Sequence, residues 1–113
     1  MDSKWDTRFL ELARHHAGWS KDESTKVGCV IVNSNKTVVS SGYNGFPRGC
    51  RDDVPVRLSR PEKYFWFEHA ERNAIYNAAY EGIALDGCTA YSTLCPGMDC
   101  ARALVQSGIK RVV

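Results

Sequence analysis

Along the first sixteen residues, Trp5, Phe9, Leu12 and Ala13, continued by His16, recur at the three-to-four spacing of one helical face. Asp2 or Ser3 stands where an N-cap belongs, and Gly18 stands where the helix would stop. The pattern then changes. Val27-Gly28-Cys29-Val30-Ile31-Val32 is a compact β-branched run, and Thr37 to Ser41 follows it across the turn-forming Asn33-Ser34-Asn35-Lys36, which predicts a hairpin. From Gly42 to Arg60 the chain is rich in Gly, Pro, Arg and Asp and has no period. That predicts a long loop, and long loops in compact domains tend to be functional. Helical character returns from about His69 to Glu81, ended by Gly82. Thr89 to Leu94 predicts a third strand. Asp99 is placed to cap a helix running to Ser107 and stopped by Gly108, and Ile109 to Val113 begins a fourth strand.

The order α-β-β-α-β-α-β predicts an α/β sheet covered by helices and partly parallel in its second half. With 113 residues and no internal repeat, the expectation is a single domain over 1–113. An apolar strand at the end predicts either a chain that continues past Val113 or a partner covering that edge.

Composition and charge narrow the functions. No apolar run approaches the roughly 18 residues of a membrane span, and the charged start does not lead into a signal sequence, so a cytoplasmic protein with no membrane partner is expected. A net charge of +2 is too small to point to a nucleic-acid polymer. Arg48, Arg51, Arg57 and Arg60 nevertheless cluster in the loop region and suit a small anion. Five cysteines do not make a simple disulfide framework, so a close pair in such a chain reads as metal-binding or catalytic.

Two segments carry the chemistry. Glu68-His69-Ala70-Glu71 opens the second long helix, and Cys95-Pro96-Gly97-Met98-Asp99-Cys100 spans the next strand-to-helix junction. One imidazole and two thiolates, from His69, Cys95 and Cys100, are good zinc ligands, and three protein ligands leave a fourth position for water. Zinc brings the pKa of such a water to about 7. Glu71 is then the candidate to carry protons. Residues two apart point about 200° apart on a regular helix, so His69 and Glu71 share one site only at the helix start. A closed structural zinc site would instead need a fourth ligand, for which Cys88 is nearest in sequence. Cys88 and Cys29 read as small core residues, and Cys50 as a surface thiol. Tyr64-Phe65-Trp66-Phe67 reads as core packing or subunit contact first and base stacking in the pocket second, and His15 and His16 as a surface or core pair.

His69-Ala70-Glu71 followed by a proline-flanked cysteine pair resembles the cytidine/deoxycytidylate deaminase superfamily. The segments Ser24 to Val32, Gly42 to Gly49, Glu68 to Ala79 and Ala101 to Val113 are most similar to its deoxycytidylate (dCMP) deaminases of bacterial and phage type. The resemblance implies a three-layer α/β/α cytidine deaminase-like fold with a mixed central sheet. It implies zinc-dependent hydrolysis of dCMP to dUMP and ammonia, with Glu71 moving a proton to N3 and then to the amine. It implies substrate contacts from Asn44, to the sugar hydroxyl, and from Ala70, with Lys26 among the cations available for the phosphate. Many such enzymes are oligomers, with a hexamer favoured, switched on by dCTP and off by dTTP. Gly42, Tyr43, Asn44, Gly45, Arg48 and Arg51 resemble the effector-binding part, where a triphosphate would bring Mg²⁺. A phage-encoded member would work in the host cytoplasm.

One departure is specific. The family pattern is Pro-Cys-x-x-Cys, whereas here Cys95 precedes Pro96 and four residues separate the cysteines. Ungapped, the pattern puts Gly97 at the first cysteine's place. The reading adopted has Cys95 supply its thiolate from the strand end while residues 96–99 loop around. The competing functions are another nucleoside or base deaminase of the superfamily and a non-catalytic, zinc-stabilised interaction module.

Overall fold

The computed structural model describes residues 3–51, 53–58 and 66–113. Helix α1 (Lys4–Ala17) starts at Ser3, whose hydroxyl accepts from the Asp6 N–H at 3.1 Å, so the N-cap is the serine of the two candidates. Strands β1 (Gly28–Val32) and β2 (Val38–Tyr43) form the predicted hairpin. Its turn is held by Asn33, whose Oδ1 accepts from the N–H groups of Asn35 and Thr37, with Lys36 in a left-handed conformation. Helix α2 (Ala70–Glu81) ends at Gly82, which takes the left-handed φ of 71° expected of a C-terminal glycine. Strand β3 (Thr89–Ser92), helix α3 (Met98–Gln106) and strand β4 (Arg111–Val112) complete the order.

The sheet runs β2-β1-β3-β4. β1 is antiparallel to both β2 and β3, and β3 is parallel to β4. Every residue of β1 is buried, because alternate side chains enter two different cores. Cys29 and Ile31 face α2 and α3, packing with Ala70, Ala74, Ala78 and Leu104. Val30 and Val32 face α1, packing with Phe9, Ala13 and Tyr91. This is the three-layer α/β/α arrangement with a mixed sheet. Cys29 and Cys88 are core residues as expected. No helix among the described residues is long and apolar enough to cross a membrane.

Several boundaries move: β3 stops at Ser92 and not Leu94, and β4 starts at Arg111 and not Ile109. β2 runs to Tyr43, so Gly42 and Tyr43 belong to the sheet and not to the loop. A 3₁₀ turn at Pro55–Leu58 interrupts the loop, which Gly45 and Glu68 close by exchanging two backbone hydrogen bonds of 3.1 and 2.7 Å. Gly97, not Asp99, is the N-cap of α3; Asp99 sits inside the first turn, paired with Arg102 at 2.5 Å.

Candidate active site

The N-termini of α2 and α3 open beside the end of β3 onto a cavity of about 300 Å³. Glu71, His69, Asn44, Phe67, Cys95 and Gly97 line it, with Asp22, Thr25 and Ala70 among the others. His69 is the N-cap of α2, in an extended conformation, and its side chain makes no capping bond. The Glu68 carboxylate does that work, accepting from the His69 N–H at 3.0 Å and from Arg72 Nε at 2.7 Å. The imidazole is thereby left exposed at the cavity, while Glu71, one position into the first turn of the helix, is only 4% exposed. Placement at the helix start thus lets His69 and Glu71 share one site, as their spacing required.

Glu71 is fixed by a residue that the sequence did not single out. Ser92, the last residue of β3, places its hydroxyl 2.9 Å from Glu71 Oε2 and 2.8 Å from the Leu94 carbonyl oxygen. A hydroxyl has one proton, so Ser92 shares it between these two acceptors. Cys100, in the first turn of α3, is 2% exposed and lies against the same carboxylate. Burial and the neighbouring Glu71 push its thiol up to about 11.

The three predicted metal ligands are not drawn together. His69 and Cys95 line the cavity and Cys100 lies beside Glu71, yet Cys95 is exposed, its Sγ 3.9 Å from the Pro96 carbonyl oxygen. Among the described residues, no group of three His, Cys, Asp or Glu side chains is placed to hold a metal ion. Zinc's preference for imidazole and thiolate donors is met by type, but the donor set as placed falls short of three.

Asn44 reaches the cavity as predicted, but with most of its amide engaged. Its Oδ1 accepts from the Val27 N–H at 2.9 Å, and its Nδ2 donates to the Thr25 carbonyl at 2.9 Å and to Asp22 Oδ2 at 3.4 Å. A lone pair on Oδ1 remains for a ligand hydroxyl. Ala70 is in the lining and buried. Lys26 is exposed and outside that lining, whose described residues include Asp22, Glu68 and Glu71 but no lysine or arginine. Phe67 joins the lining and packs edge-on against Phe46, with ring centroids 4.7 Å apart, so the end of the aromatic run belongs to the site. Trp66 lies under the Arg57 guanidinium, 3.9 Å from it; Tyr64, Phe65 and Arg60 lie outside the described residues.

The predicted effector residues divide. Gly42, Tyr43, Gly45 and Arg48 line a second cavity of about 350 Å³ together with His16, Trp19, Asn73 and Asn77. Asn44, between them in sequence, faces the first cavity. Arg48 hydrogen-bonds the Asn77 side chain and stacks over Tyr80, whereas Arg51 pairs with Asp53 at 3.1 Å and lines neither cavity. Gly42 is buried for a packing reason: a Cβ there would lie 2.5 Å from Ala74 N and 2.6 Å from Ala70 O. Its bare α-carbon lets α2 approach β2 closely.

A family model described as the cytidine and deoxycytidylate deaminase zinc-binding region matches residues 3–113. A probable deoxycytidylate deaminase of Caenorhabditis elegans is 46% identical over 115 residues, covering 98% of this chain and 57% of the relative. The deoxycytidylate deaminase of Homo sapiens is 41% identical, with coverage of 97% and 64%. The chain therefore spans about three fifths of the length of these relatives. The crystal structure of dCMP deaminase from cyanophage S-TIM5 in complex with dCMP and dUMP superposes with a TM-score of 0.84 at 26% identity, covering 99% of this chain and 81% of that one.

Proposed function

Since the chain belongs to the cytidine and deoxycytidylate deaminase family, we propose that its first cavity hydrolyses the 4-amino group of dCMP, yielding dUMP and ammonia. The observation that carries this reading is the buried Glu71, clamped by Ser92 at the inner end of a cavity large enough for a pyrimidine nucleotide. The cyanophage enzyme, which binds dCMP and dUMP, supports the choice of substrate.

Deamination needs a proton removed from the attacking water and one delivered to the departing amine. The water oxygen bonds to C4 of the ring as Glu71 takes one water proton and passes it to N3; the oxygen's second proton then goes through Glu71 to the amine, the C4–N4 bond breaks, and ammonia leaves as C4=O forms. Its location is suited to both tasks, since burial keeps bulk water from competing for the proton. Phe67 offers an aromatic face to the base and Asn44 Oδ1 a lone pair to the sugar hydroxyl. Zinc, when bound, supplies a Lewis acid that makes water nucleophilic near neutral pH. His69, in the cavity lining, and Cys100, beside Glu71, would be the protein donors that hold it.

Regulation by dCTP and dTTP belongs to the same proposal. The Tyr43-Asn44-Gly45 stretch alternates between the two cavities, so a triphosphate, with Mg²⁺, in the second would press on the residue that lines the first. The test is ammonia and dUMP release from dCMP, against dCTP, cytidine and guanine, with zinc added in excess. dCMP should be the preferred substrate, with dCTP raising its turnover and dTTP lowering it. Glu71→Gln should lose roughly 10²–10⁴-fold in kcat while still binding dCMP. Absence of dCMP turnover in the zinc-loaded protein, or an unaffected Glu71→Gln variant, would refute the reading.

A further inference from the structure

We infer that Cys95 is not a metal ligand in this chain, and that its metal site is one donor short because position 97 is glycine. Cys95 is exposed, with its sulfur 3.9 Å from the adjacent Pro96 carbonyl oxygen. Gly97 lines the same cavity as His69 and Glu71 and is the N-cap of α3. In a capping box the N-cap side chain reaches the backbone of the third helical residue while that residue's side chain reaches back to the cap, so both lie over the same first turn; here the third residue is Cys100. A donor at 97 would therefore meet a donor at 100 across one helical turn, at the cavity that His69 also lines.

Nothing in the fold demands glycine here. The backbone of Gly97 has φ −71° and ψ 175°, an extended conformation open to any residue. A Cβ at this position would meet no heavy atom within 4 Å. The other helix N-terminus at the cavity shows the contrast, since its N-cap is the ligand-type residue His69. A catalytic zinc site uses three protein donors, and the placement supplies His69 and Cys100 without a third. The chain therefore holds zinc loosely, in exchange with the free ion, and a cysteine at 97 completes the set.

The test titrates the full chain with Co²⁺ and Zn²⁺ against a competing chelator and reads thiolate-to-cobalt absorbance in the near ultraviolet. Wild type and Cys95→Ala should bind equally weakly and show the absorbance of one thiolate. Gly97→Cys should bind at least about tenfold tighter and double that absorbance, while Gly97→Ala, the control for the change at the helix cap, should match wild type. A tenfold or greater loss of affinity in Cys95→Ala would overturn the inference, as would a Gly97→Cys variant no tighter than Gly97→Ala. No substrate enters the measurement, so failure to turn over dCMP leaves this outcome readable.

Discussion

Ser92 shows how a single hydroxyl can set the geometry of a buried carboxylate. Its bond to Glu71 Oε2 holds one carboxylate oxygen, and its bond to the Leu94 carbonyl ties that grip to the segment leading to Cys95. A neutral-to-charged hydrogen bond contributes about 1.5–3 kcal/mol. Ser92→Ala should lower kcat for dCMP about tenfold or more with KM nearly unchanged, and Ser92→Thr should restore most of it. Steady-state kinetics on the zinc-loaded protein decides; an Ala variant changed only in KM would show that Ser92 merely shapes the pocket. Such a contact was illegible in the sequence, because a serine in a short strand has no periodic mark and its partner lies 21 residues away. His69 and Glu71 were legible because the chemistry of the pair and its place at a helix start agree. Asn44 was half legible: its arrival at the cavity follows from the resemblance, whereas its bonds to Val27, Thr25 and Asp22 arise from folding the preceding loop against it.

At the scale of elements, the contact between α2 and β2 positions the site. Ser40 donates to the Ala74 carbonyl at 2.6 Å, and Asn73 and Asn77 donate to the Tyr43 and Ser41 carbonyls at 2.8 and 2.7 Å. These bonds are possible because the helix backbone rests on Gly42. Gly42→Ala should cost about 1–3 kcal/mol of stability, seen as a lower urea midpoint with unchanged slope, and should displace the start of α2 that carries His69 and Glu71. A variant as stable as wild type would mean that the helix can lift away at no cost. Alternation of apolar and polar residues could place most of β2 but not its end. Gly42-Tyr43 looks like the opening of a loop until the helix that covers it is known. The start of α3 was misplaced by two residues for a related reason, since Asp99 has the chemistry of a cap but is engaged by Arg102.

Across the whole molecule, Asp6 ties the layers together. Its carboxylate accepts from Tyr91 OH at 2.7 Å and from two Arg111 nitrogens at 3.0 and 2.7 Å, linking α1 to β3 and β4. The Arg111 guanidinium, with Tyr91, holds this carboxyl well below the usual carboxylate range. A depressed pKa contributes stability that is present above the unfolded value, near 3.9, and lost as the pH falls toward the folded one. Asp6→Asn should therefore unfold at lower urea than wild type at pH 7, with the gap closing as the pH drops below about 4. An Asp6→Asn deficit that stays constant down to pH 2 would rule out the ionised pair as its source. A sheet covered by helices was legible from the order of elements, and the resemblance implied its three layers. The Asp6–Arg111 link was not, since it joins residues 105 apart across opposite ends of the chain.

The Gly45–Glu68 exchange of hydrogen bonds has a consequence for how this domain tolerates change. Chain that leaves and returns through the same pair of residues is a closed excursion, and the entropy of closing it grows only with the logarithm of its length. Doubling such an excursion costs roughly 0.6 kcal/mol. Closure entropy alone therefore charges little for added length between these two points, while Asn44 on one side of the clasp and His69 on the other keep their separation. The spacing of those two residues is set by the clasp and not by the length of chain it closes.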